Sequence, residues 1–311
     1  MKNQTLGLNR LKKTIPWWAK IPAKLVLARL PVRYGLWKRL GIFRHGRMDT
    51  LDYAMRVFRS HFEAGKLDRG FTCLELGPGD SLVSALVAFA HGARRIYLVD
   101  AGTFASQDVS FYHDMVAKLE THGYRVPATF DSVEEMLKQC GAQYFTNGLN
   151  GLRSIPFGSV DFIWSQSVLE HVWKREFQET VSEWSRVLKP EGFGSHHVDL
   201  KDHLNYALNN LRFPESVWES SLFRTSGFYT NRIRFSEMLH IFEKCGFAAR
   251  VSAKTCWQQM PTPRSRLHNH FRELPDDDLL VSSFAVVLRH RATPVSEELA
   301  FRDSPTSVDQ Q

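Results

Sequence analysis

The chain has 311 residues, 43% of them hydrophobic and 23% charged, which is enough for a large buried core and too apolar for wholesale disorder. No apolar run approaches the roughly 18–20 residues of a spanning helix, and the first residues lack the apolar core and small-residue cleavage site of a secretory signal. The four cysteines, Cys73, Cys140, Cys245 and Cys256, are scattered without a CxxC pair, so no disulfide framework or zinc knuckle is expected, and the reading is a folded cytoplasmic protein.

The net charge of +7 is unevenly spread. Met1–Met48 holds twelve Lys or Arg and no Asp or Glu, leaving 28 basic against 33 acidic residues in the remainder. Within this segment "IPWWAKIPAKLVLARLPVRYGLWKRLGIF" interleaves Trp17, Trp18, Leu25, Leu27, Leu30, Leu36, Trp37 and Leu40 with Lys20, Lys24, Arg29, Lys38 and Arg39. That composition fits either a helix lying on an anionic membrane surface, here the inner face of the cytoplasmic membrane, or a basic cap packed on the main domain. Pro16, Pro22 and Pro31 are expected to interrupt any single helix. No aromatic RNA-binding signature or basic recognition helix accompanies the charge, so no nucleic-acid partner is expected.

From Phe71 onward short apolar runs alternate with helical ones, the pattern of a parallel sheet covered on both faces. Strands are expected at 71–76, 95–100, 142–146, 160–165, 193–199, 247–256 and 280–289, and helices at 82–91, 110–121, 132–139, 174–188 and 236–245. Gly92, Gly123, Gly141, Gly246 and the "KPEG" turn at Lys189–Gly192 supply the helix stops. The alternation fails at about 201–234 and 257–278, two insertions placed to overhang the C-terminal ends of the strands, where open α/β sheets bind ligands. Three parts follow: a basic segment over 1–50, a doubly wound domain over 51–290, and a polar tail over 291–311 without periodicity.

"FTCLELGPGDSLVSALVAFA" is a strand that ends in a glycine turn and opens into a helix, a design in which backbone N–H groups meet a small polar ligand. A G-x-G-x-x-G dinucleotide fingerprint starting at Gly77 would need glycine at position 82, which is Leu82, so a nicotinamide cofactor is disfavoured. Glu75 precedes Gly77 and Gly79, and "YLVDAG" ends the next strand on Asp100, whose carboxylate suits two ribose hydroxyls.

At these residues the chain closely resembles the class I S-adenosylmethionine-dependent methyltransferases. "IPFGSVDFIWSQSVLEHV" resembles that family's fourth-strand motif and "EWSRVLKPEGFGSHHVDL" its fifth-strand region. The resemblance implies a seven-stranded, mostly parallel Rossmann-like sheet, S-adenosyl-L-methionine as cofactor, and a cofactor site drawn from Glu75, Gly77, Gly79, Asp80, Asp100, Ala101, Asn147, Gly148, Leu149 and Ser165. Gly77 and Gly79 would line the methionine portion, Asp100 the ribose, and "TNGL" at Thr146–Leu149 the adenine. "GIFRHGRMD", "SHHVDLKDHLNYALNNLRF" and "SGFYTNRIRFSEM" further resemble uncharacterised bacterial methyltransferase-domain proteins, which implies a small or glycan-linked polar acceptor. An alternative is a membrane-recruited scaffold or sensor that keeps the fold without the chemistry.

An oxygen acceptor needs a base at the C-terminal edge of the sheet. His171 in "VLEHV" and the stretch "SHHVDLKDHL" supply candidates: His196 or His203 with Asp199 or Asp202 orienting the imidazole. On an extended strand His197 and Asp199 face one way and His196 the other, so the apparent cluster divides and no metal site is expected unless the turn after Leu200 brings Asp202 or His203 back. Asp202 reads equally well as a cap. Asn209, Asn210, Arg212, Tyr229, Asn231, Arg232 and Arg234 either bind a polar acceptor or pin the insertion to the domain.

Overall fold

The computed structural model describes residues 15–27, 29 and 48–291. His45 and Arg47 of "FRHGRMD" and residues 292–311 of the tail lie outside the described residues.

Seven strands form one sheet: β1 (Thr72–Leu76), β2 (Arg95–Val99), β3 (Ala142–Phe145), β4 (Val160–Gln166), β5 (Leu188–Asp199), β6 (Phe247–Cys256) and β7 (Val281–His290). Their spatial order is β3-β2-β1-β4-β5-β7-β6. β7 runs antiparallel to both of its neighbours, and the other pairings are parallel. Each expected strand is present within a few residues of its place. The largest difference is in β5, which starts at Leu188 and carries "KPEG" inside it. The pairing with β4 jumps from Val160–Leu188 to Phe162–Phe193, so the expected turn is absorbed as a bulge.

One face of the sheet is covered by α2 (Leu51–Phe62), α3 (Val83–Ala90), α4 (Val109–Thr121) and α5 (Val133–Gln139), whose apolar sides meet Cys73, Ile96, Phe162, Trp164 and Phe193. The other carries α6 (Leu149–Arg153), α7 (Lys174–Val187) and α8 (Phe235–Lys244), packed on Leu74, Leu76, Val99 and Ile163. α2 escaped the sequence reading although its buried residues, Leu51, Ala54, Met55, Phe58 and His61, recur at helical spacing. β1 is buried along its whole length, as a strand covered on both faces must be.

The insertions build smaller cores beside the sheet. Leu204, Trp218, Phe223, Phe228 and Tyr229 form one, and Leu208, Leu211, Leu267, Phe271 and Leu279 join the first insertion to the second. α1 (Trp17–Leu27) lies on the first of these through Trp17, Ile21 and Leu25, one residue per turn along a single stripe. Pro22 sits inside this helix instead of breaking it. The N–H it lacks costs one hydrogen bond, and Trp17, Ile21 and Leu25 pack on both sides of the defect. Among the described residues no helix is long and apolar enough to cross a membrane.

Candidate functional site

Strand order reverses between β1 and β4, so a crevice opens at the C-terminal ends of the strands on either side of that point. On the β1 side, three loops lock together. Gly77 donates its N–H to Val99 O at 2.8 Å, Gly148 donates to Asp100 O at 2.8 Å, and Gly79 donates to the Asp100 carboxylate at 3.0 Å. Gly77 and Gly79 have φ of +66° and +69°, a left-handed backbone that side chains resist, and a Cβ on Gly77 would stand 2.5 Å from Val168. Glycine here lets the loop turn back under β4.

Asp100 also accepts from the Ala101 N–H at 2.8 Å, through its other carboxylate oxygen. Glu75 is buried and accepts from the Ser84 hydroxyl, so it braces the loop against α3. Burial raises its pKa to about 8, against the Ser84 hydrogen bond, with Asp100 adding to the rise. Asp80 is wholly buried and its carbonyl accepts from Ser106 N at 3.0 Å, tying the loop after β1 to the loop after β2. Asn147 and Gly148 enter α6, with Leu149 as its first residue. The glycine cradle, the carboxylate at the end of β2 and the glycine-started α6 fit a nucleoside held across three loops. Ser165 is placed differently: it is buried and pairs with His196 Nδ1 at 2.8 Å, facing α7 and not the loop.

On the β4–β5 side the sequence cluster separates as alternation requires. His196 is 1% exposed, stacked on Trp184 of α7 with ring centroids 4.7 Å apart. Burial, with a smaller contribution from His61, lowers its pKa to about 3, so it is a neutral core histidine enclosed away from any acceptor. The opposite face carries a network missed in the sequence. His61 of α2 pairs with Ser195 Oγ at 2.9 Å and with Gln166 Oε1 at 3.1 Å, and Gln166 reaches His197 Nδ1 at 3.2 Å. Burial lowers His61 to about 4, against the Gln166 hydrogen bond and helped by His197. Only the fold brings α2 under β5, so no local pattern signalled His61.

Asp199 accepts from the Lys201 N–H at 3.0 Å and pairs with the Lys201 ammonium at 2.9 Å, so its carboxylate is engaged by lysine and not by an imidazole. Asp202 caps the turn that follows, accepting from the N–H groups of Leu204, Asn205 and Asn209 and from the Asn209 side chain. This turn carries His203 back over the end of β4, where its ring meets His171 at 4.7 Å between centroids. Burial lowers the His203 pKa, with Asp199 opposing and Lys24 assisting. His171 Nδ1 lies 3.0 Å from Tyr229 O, so that nitrogen carries the proton and donates it. Beside them stands Glu170, 2% exposed, whose two carboxylate oxygens have no hydrogen-bond partner of ordinary geometry. Its own amide and that of Asp199 are the nearest donors, and burial raises its pKa well above the usual carboxylate range. Glu170, His171 and His203 bring one ligand atom each within 4.8 Å of one another. The adjacent acid and histidine of "LEH" were a signal for Glu170. The nearness of His203 was not legible in the sequence.

The insertion residues mostly pin. Arg234, 2% exposed, donates to the carbonyls of Leu200, Asp278, Leu279 and Val281 at 2.7–3.0 Å. Asn231 donates to Leu169 O at 2.8 Å and to Val172 O at 3.0 Å, clamping the turn that holds Glu170. Arg232 donates to Phe213 O at 2.7 Å and pairs with Glu215, while Asn210 donates to Thr230 Oγ1. Arg212 instead lies over the Trp17 ring at 4.8 Å. α1 adds to this edge, because Lys20 and Lys24 donate to the carbonyls of Leu204 and His203.

Residues 113–194 match the family model for a methyltransferase domain. Together with the reversed strand order, the antiparallel β7 and the glycine loop, this match decides the class. Residues 113–194 carry a methyltransferase domain. No curated relative matches it. Among solved structures it is similar to the Haemonchus contortus phosphoethanolamine N-methyltransferase 2 in complex with phosphomonomethylethanolamine and S-adenosylhomocysteine, at 14% identity over 86% of this chain and 60% of that one, TM-score 0.46. It is also similar to an S-adenosylmethionine-dependent methyltransferase from Mesorhizobium loti, at 16% identity over 78% of this chain and all of that one, TM-score 0.42. S-adenosylmethionine is the cofactor, and when bound it supplies an electrophilic methyl group on sulfur.

Proposed function

We propose that this methyltransferase domain acts on an oxygen of a small or glycan-linked polar acceptor. The observation that carries the reading is the pairing of His171 and His203 in the turns that follow β4 and β5. Transfer from a sulfonium is an in-line displacement, so holding the acceptor atom near the methyl supplies much of the rate. A hydroxyl must also lose its proton, and two imidazoles at one edge are suited to receive it. Residue by residue, Gly77, Gly79 and Asp100 hold the cofactor, Asn147, Gly148 and Leu149 flank the adenine, and His171 and His203 face the acceptor.

Calorimetry with S-adenosylhomocysteine tests the cofactor half, and methyl transfer from labelled S-adenosylmethionine into fractionated polar metabolites and glycans tests the acceptor half. Label recovered in base-stable ether linkages supports an oxygen acceptor; label recovered only on nitrogen overturns it.

The basic N-terminus adds a second proposal, that the domain works in the cytoplasm at an anionic membrane surface. The stripe of Trp17, Ile21 and Leu25 on α1 is occupied by the insertion, but Trp18 is 62% exposed and Val26 61%. Sedimentation with phosphatidylserine vesicles, with and without residues 1–40, tests it; equal sedimentation removes the claim.

A further inference from the structure

We propose that Glu170, His171 and His203 form a divalent-cation site that binds the acceptor's hydroxyl. This rests on the oxygen-acceptor reading above and deepens it: the two imidazoles act through a cation in place of taking the proton themselves.

The first observation is the geometry. One carboxylate and two imidazoles from three chain positions converge within 4.8 Å, the donor set that holds first-row divalent ions and leaves several positions open. At metal–ligand distances of about 2.0–2.2 Å, adjacent ligands stand roughly 3 Å apart, so the set closes with side-chain movements under about 2 Å. The second, independent observation is Glu170. A carboxylate only 2% exposed, with neither oxygen in a hydrogen bond of ordinary geometry, is a costly arrangement, and a cation between it and the histidines lowers that cost.

The surrounding bonds are those a ligand set needs. The Nδ1–H of His171 is directed at Tyr229 O, which fixes the ring. Asn231 clamps the Leu169–His171 turn from below, and Lys24 holds the His203 carbonyl from above. The histidines are the more exposed members, so the open positions face the acceptor side.

With the acceptor oxygen on the cation, its O–H is acidified and the proton passes to solvent water. The oxygen's electron pair then forms the bond to the methyl carbon while the carbon–sulfur bond breaks and its pair returns to sulfur, leaving neutral S-adenosylhomocysteine.

The test is titration of the full-length, chelator-treated chain with Mn²⁺ alone, followed by electron paramagnetic resonance and repeated with Co²⁺ and Zn²⁺ by calorimetry. The expected result is one ion per chain, with affinity falling at least tenfold in E170Q and in H203A while both variants still bind S-adenosylhomocysteine as the parent does. Absence of stoichiometric binding by all three ions, or binding unchanged in both variants, overturns the site. Loss of S-adenosylhomocysteine binding in the parent would sink the methyl-transfer reading, and cation binding measured in the same sample keeps the two failures apart.

Discussion

The two halves of the crevice are built from different materials. The cofactor half is backbone: glycines at positive φ, N–H groups turned to carbonyls, and one carboxylate, Asp100, at the end of β2. The acceptor half is side chains brought from afar: His203 carried by the first insertion, Tyr229 and Asn231 from its far end, Lys24 from α1 and Arg234 beneath them. A backbone site is set by a few consecutive residues, whereas a side-chain site exists only when the whole insertion is seated. Damage should therefore act locally in the first half and globally in the second.

The largest expected effect is in the acceptor half. Arg234→Ala would remove a donor from four buried carbonyls, and at about 1–3 kcal/mol each the loss should reach about 4 kcal/mol or more, read by urea denaturation. A loss below about 1 kcal/mol would show that the insertion is not anchored through this side chain.

Acid should come next, again through the acceptor half. His61 and His196, on the two faces of β5, have pKa values of about 4 and about 3 when folded, against 6.5 for the ordinary group. The folded state therefore binds fewer protons than the unfolded one, so stability is full above pH 6.5 and falls as pH drops toward 4. Between pH 7 and 5 each should cost about 2 kcal/mol, and His61→Asn should flatten the measured slope by about half. An unchanged slope would mean that the His61 ring does not resist protonation.

In the cofactor half the effects should be smaller and should separate binding from stability. Asp100→Ala removes the carboxylate from the glycine loop and should lower S-adenosylhomocysteine affinity about 10–100-fold by calorimetry. Gly77→Ala forces a side chain into φ +66° and toward Val168, which should cost about 1–2 kcal/mol and weaken the same ligand. If either variant unfolds as Arg234→Ala does, the contrast between the halves fails. The smallest change should come from Trp18→Ala, within about 0.5 kcal/mol in stability, since the ring faces solvent.

The sheet and the glycine loop were legible because both follow from local rules. Alternating short apolar runs and glycine stops place the seven strands to within a few residues, apart from the early start of β5. A strand, a glycine turn and a helix announce a small-ligand cradle wherever they occur. Period two also divided "SHHVDLKDHL" correctly: His196 lies on one face of β5, and His197 with Ser195 on the other.

What that stretch does was decided by tertiary structure. His196 lost its candidate role because α7 brings Trp184 over it, and Ser165 lost its place in the cofactor list because it points toward the same pocket. His203, named beside His196 in the sequence, stands next to His171 and Glu170 because the turn capped by Asp202 returns it there. The sequence by itself determined the sheet, the glycine cradle and the carboxylate that faces it, since these need only neighbours along the chain. The acceptor edge needed contacts between residues some thirty or more positions apart, and only burial and long-range packing decide which of those form.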